Sequence, residues 1–162
     1  MVKWVRITKN QYLGFFALGL ALFLLQELPY IVMPLIALST NPLMEMQDKS
    51  WVLNAVEKLM GVSCIVTMLF LVREDATWFS LRTSKEKVFF SGAITATAGY
   101  FIGWIFYFNG VQSLSLILAL LVAMPPLYYA FIGLWRGNYI LAVLGGIFLL
   151  AHLANVWNNL AL

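Results

Sequence analysis

LSLILALLVAMPPLYYAFIGLWRGNYILAVLGGIFLLAHLANVWNNL, residues 114–160, carries a single Asp, Glu, Lys or Arg side chain, Arg136, in 47 positions. Its two parts, about 114–134 and 138–160, are each longer than the ~18 predominantly apolar residues that mark a membrane-spanning helix. The W-R-G at 135–137 leaves room only for a tight turn, so the two spans must pack antiparallel.

The same pattern continues toward the N-terminus, with spans expected at about 12–38, 51–72 and 88–108. Residues 39–50 and 73–87 are the two longer loops, and N-G-V-Q-S at 109–113 is a second tight turn. The fold class is therefore all-α: one polytopic integral membrane bundle of five transmembrane helices over residues 1–162. Composition agrees, since 62% of the residues are apolar and 10% charged, against about 45–50% and 25% in a soluble domain. No segment left between the spans is long enough to bury a core of its own. The start MVKWVRITKN followed by an apolar run lacks a small-residue cleavage site and reads as an uncleaved first helix. That span exceeds a ~30 Å hydrocarbon core, and Pro29 frees the carbonyl of Leu25, so a kink near Glu27 is expected.

Basic residues set the orientation. Lys3, Arg6, Lys9, Arg73, Arg82, Lys85, Lys87 and Arg136 fall on one side and Lys49 and Lys58 on the other, an 8:2 split. The N-terminus is then inside and the C-terminus outside, as expected of a protein of a bacterial cytoplasmic membrane. A four-span alternative, with span one folded back as a re-entrant hairpin, forfeits this asymmetry. Nucleic acid is not an expected partner, because there is no Lys/Arg-rich run, Cys/His finger or basic stripe. The lipid bilayer is.

Ionisable groups inside spans are costly and mark candidate sites. Counted from the expected span ends at ~1.5 Å per residue, Glu27, Glu57 and His152 all fall about 8–9 Å below the outer boundary. His152, Asn155 and Asn159 share one helical face, as do Asn54, Glu57, Gly61 and Cys64, while Tyr100, Trp104 and Tyr107 form an aromatic stripe. Together they outline an outward-facing polar pocket that binds ligand through Glu27, His152, Asn155, Glu57, Asn54, Trp104 and Tyr107. In this picture Glu27 is the central carboxyl, His152 and Asn155 are its partners, and Glu57 stands at the mouth. The bland readings are a structural Glu27 bonded to His152 or Asn155 as interhelical glue, and a Glu57–Lys58 pair snorkelling at the interface.

Glu27 and His152 are weak candidates as metal ligands, with no H-x-x-x-H, H-E-x-x-H or C-x-x-C spacing to support them. One His suits haem poorly, and no cofactor is expected. G-x-S-x-G is absent. Gly92, Ala96, Gly99 and Gly103 form a small-residue stripe for close helix contact, within the chain, in a homodimer or with a partner membrane subunit. Pro125-Pro126 should bend span four. In outline the chain is similar to the tryptophan-rich sensory/translocator proteins, but their W-x-P-P-type segment after the first helix is missing, and no family is assigned. The leading expectation is a small multipass protein that binds, or helps to transport, a small cationic or neutral solute or a proton. An assembly subunit without a ligand site and an intramembrane enzyme acting on a lipid-like substrate are the alternatives.

Overall fold

A computed structural model describes residues 2–74 and 77–160; residues 75 and 76 of the expected 73–87 loop lie outside the described residues. The chain is mostly helical, and five helices are long and apolar enough to cross a membrane. They are α1 (Ala17–Val32, extended by a 3-10 turn Met33–Leu35), α2 (Trp51–Phe70), α3 (Ser84–Phe108), α4 (Leu114–Arg136) and α5 (Tyr139–Leu160).

Helix ends fall where short polar residues or glycine can satisfy them. Ser50 caps α2 by accepting from the Leu53 amide, and Ser113 caps α4 by accepting from Leu116. Asn138 caps α5 by accepting from Leu141. Thr83 and Glu86 form a reciprocal capping box at α3. Gly137, at φ +63°, closes α4 in the left-handed conformation that glycine adopts without a Cβ penalty.

The expectation of an all-α chain needs correction. Three strands, β1 (Val2–Thr8), β2 (Gln11–Phe15) and β3 (Leu71–Arg73), form an antiparallel sheet in the order β1-β2-β3. Thr8 pairs with Gln11 across the Lys9-Asn10 turn, and Leu13 pairs with Leu71. Span one therefore begins at Ala17 rather than at residue 12, and span two gives way to a strand after Phe70. The physical reason is local: V-K-W-V-R-I-T is rich in β-branched and aromatic residues and is followed by two turn residues and a second short run, a hairpin pattern. Gly14 is required in β2, because a Cβ there would lie 2.2 Å from the Val2 carbonyl oxygen. Glu74 ties β3 to the turn end of the hairpin: its amide donates to the Asn10 carbonyl at 3.0 Å, its carboxylate pairs with Arg6 at 3.7 Å and accepts from the Tyr12 hydroxyl at 3.3 Å, and its carbonyl accepts from Lys3 Nζ.

In the bundle, α4 lies between α3 and α5, α2 packs on α5, and α1 touches α2 and α3. The small-residue stripe of α3 is occupied within the chain. Gly92 faces the Phe131 ring, Gly99 faces Met124, and Gly103 faces Leu120 and Leu121. A second close contact joins α4 to α5, where a Cβ on Gly133 would lie 2.5 Å from the Ala142 amide nitrogen and one on Gly145 2.7 Å from that of Ala130. Pro125-Pro126 is absorbed by a change of helix type: Ile117–Val122 is π-helical, Ala123 N–H bonds the Leu118 carbonyl at 3.0 Å, and the α-helix restarts at Met124 with the prolines in its first turn. There their missing N–H groups cost least.

Candidate functional site

Two polar features lie among the helices. The first is a hydrogen-bonded ladder between α2 and α5. Glu57 Oε1 accepts from His152 Nδ1 at 2.8 Å, the tautomer a carboxylate acceptor requires, and Glu57 Oε2 accepts from Asn155 Nδ2. Asn155 Oδ1 accepts in turn from Asn159 Nδ2 at 3.3 Å, and Asn159 Oδ1 accepts from the Lys49 amide at 3.1 Å. The i, i+3, i+7 spacing of His152, Asn155 and Asn159 thus makes one continuous polar edge, as expected, but its carboxylate is Glu57 and not Glu27. The cause is the packing order, which sets α2 against the polar face of α5. The Glu57 and His152 side chains are 18% and 13% exposed, so this is a largely buried contact and not a snorkelling Glu57–Lys58 pair.

The second feature is a cavity of about 140 Å³ lined by residues of α1, α2, α3, α4 and α5, among them Gln26, Glu27, Tyr30, Tyr100, Tyr129 and His152. Glu27 and His152 do share a space, therefore, without bonding each other. The Gln26 side chain is buried, and neither its amide nitrogen nor its oxygen has a hydrogen-bond partner among the described residues. Leaving such a group unsatisfied costs about 1–3 kcal/mol. A water needs only ~10–15 Å³ of such space, so the cavity has room for one small solute. Tyr100 closes one side by donating its hydroxyl to the Gln26 backbone carbonyl at 3.0 Å, and Phe148 stacks on His152 with ring centroids 5.1 Å apart. Counted from Ala17, Glu27 lies ten residues along α1, about 15 Å, near the middle of the helix and deeper than its expected level.

The remaining candidates are elsewhere. Trp104 stands behind the cavity wall, edge-on to Tyr30 at 5.1 Å, with its indole N–H buried and unpartnered among the described residues. Tyr107 pins the 39–50 loop, donating to Asn41 Oδ1 at 2.7 Å and accepting from the Leu43 amide at 3.2 Å. Asn54 donates to Asp48 Oδ2 at 2.8 Å, at the end of the bundle where α2 begins. Among the described residues no three His, Cys, Asp or Glu side chains are placed to hold a metal ion. Residue pattern alone did not mark Gln26 or Tyr129; Gln26 has a signal, as an amide next to Glu27 inside an apolar run, whereas Tyr129 sits beside Tyr128 with nothing to separate the two.

Compared with known proteins, the chain matches no family model, and no curated protein or solved structure matches it. Its chemistry is read from its own geometry.

Proposed function

We propose that this is a multipass membrane protein, N-terminus inside and C-terminus outside, whose intramembrane cavity binds a small cationic or neutral hydrogen-bonding solute, or a proton. The observation that carries the reading is Gln26, a buried amide with neither polar atom partnered among the described residues, facing the same cavity as the Glu27 carboxyl. A bound donor that reaches both the Gln26 Oε1 and the Glu27 carboxylate recovers part of the desolvation cost of the two acceptors. The rings of Tyr30, Tyr100, Tyr129 and Phe148 around the same space favour an ammonium ion over a hydrated metal cation, because ring faces attract a desolvated cation by about 0.5–2 kcal/mol each. His152 joins the cavity to Glu57, so occupancy is felt at the α2–α5 contact. The 8:2 distribution of Lys and Arg supports the orientation.

The test is thermal stability in detergent of the wild type and Glu27→Gln, with methylammonium, tetramethylammonium, potassium and a neutral amide in turn. A rise in melting temperature seen in the wild type and lost in Glu27→Gln supports the site. No rise with any of them, in a protein that melts cooperatively, overturns it. A second reading, a packing or assembly role, is favoured for the Glu57 half alone, where the ladder from Lys49 to His152 is closed on itself. Transport is a further step from binding, read by solute flux into proteoliposomes.

A further inference from the structure

The opposite end of the bundle carries a separate cleft of about 590 Å³ where α3 begins, α4 ends and α5 begins. Its wall holds four cations, Arg73, Arg82, Lys85 and Arg136, and one carboxylate, Glu86. Glu86 is engaged in its own helix start, accepting from the Ser80 hydroxyl at 3.0 Å and from the amides of Arg82 and Thr83 at 2.6 and 3.2 Å. Among the described residues of the wall, cations outnumber carboxylates four to one.

Two of the guanidinium groups are set in place by the fold. Arg136 lies over the Phe16 ring at 4.7 Å and beside the Trp135 ring at 5.4 Å. Arg73 rests against Gly137, where a Cβ would fall 1.9 Å from its Nη1. The left-handed glycine that ends α4 is thus also the space the Arg73 head group occupies. Phe89, Leu134 and Tyr139 supply an apolar side to the same cleft, so it is amphipathic and stands at the level where three apolar helices end.

We propose that this cleft binds the phosphodiester headgroup of an anionic phospholipid, of the phosphatidylglycerol type, from the inner leaflet. A phosphodiester accepts several N–H donors at once, guanidinium groups match its geometry, and the apolar side accommodates the glycerol and first methylenes. Topology alone explains an excess of Lys and Arg on this side; it does not require four of them to converge on one cleft. The assignment rests on the helices crossing a bilayer, which is checked separately by resistance of the membrane-bound protein to carbonate extraction.

The full-length protein in neutral detergent is melted with short-chain phosphatidylglycerol, short-chain phosphatidylcholine or inorganic phosphate at equal concentration. The expected result is a rise of several degrees with phosphatidylglycerol only, abolished in Arg82→Gln/Lys85→Gln and kept in Lys87→Gln, an exposed charge outside the cleft. Equal stabilisation by phosphatidylcholine, an equal effect of inorganic phosphate, or equal loss in Lys87→Gln each overturns the proposal, in favour of generic lipid, a free phosphate site or diffuse surface charge. Should the double variant fail to fold, native mass spectrometry of the wild type with an equimolar lipid mixture decides: retained phosphatidylglycerol adducts support the site, and no preference overturns it.

Discussion

Glu57 and His152, 95 residues apart in sequence, meet at 2.8 Å and join α2 to α5. Asn155 adds a second bond to the same carboxylate one helical turn away. Glu57→Ala leaves both partners without their acceptor, and interhelical hydrogen bonds within membranes are worth about 0.6 kcal/mol each, up to ~1.7. A loss of about 1–3 kcal/mol is expected in reversible unfolding, with Asn155→Ala showing a coupling of ~0.5–1.5 kcal/mol in the double-mutant cycle. Additive effects of the two substitutions would show that the contact carries no energy.

Gln26 gives a prediction of the opposite sign. Replacing its amide by the apolar Gln26→Leu removes two buried polar atoms that have no partner among the described residues, so the unliganded protein should gain about 1–2 kcal/mol. The same substitution should abolish the solute-induced rise in melting temperature. A destabilised Gln26→Leu would show that the amide is satisfied without a solute.

At Gly137 backbone and neighbour act together. Gly137→Ala places a methyl on a residue at φ +63° and against the Arg73 guanidinium. A loss of about 1–2 kcal/mol is expected from the left-handed strain, accompanied by a weaker response to phosphatidylglycerol. Unchanged melting and lipid response together would mean that neither the cap nor the Arg73 seat matters.

Cys64 is fully buried, so topology can be mapped by cysteine labelling without removing it. Met44→Cys and Val111→Cys, both exposed, should react with an impermeant maleimide in intact cells. Lys85→Cys should react only after the membrane is opened. The reverse pattern overturns the N-inside orientation.

Much of the helical framework is legible in the residues themselves. The low charge of 114–160 and the glycine at 137 mark α4, its end and the turn into α5, and Ser50, Thr83 and Asn138 stand where caps are needed. The hairpin is harder to read, because Tyr12–Phe15 runs without a polar break into the apolar residues of α1. What separates them is the pairing of Leu13 with Leu71, a contact across nearly sixty residues. The candidate site follows the same rule. The polar face of α5 is written in the spacing of His152, Asn155 and Asn159, but whether it meets Glu27 or Glu57 depends on which helix lies beside it. The tight contacts of Gly133 and Gly145 likewise become visible only once α4 and α5 are side by side.

The π-helical stretch Ile117–Val122 has a genetic consequence. A π turn takes up one residue more than the α-helical path it replaces, so α4 stores one surplus residue upstream of Pro125-Pro126. Loss of a single codon within 117–122 could convert the stretch to ordinary α-helix while keeping both flanking segments in register. Loss of one codon within Met124–Arg136 has no such reserve and turns every following side chain by about 100°, taking Gly133 out of its contact with Ala142. Tolerance to single-residue deletions along α4 should therefore peak at 117–122.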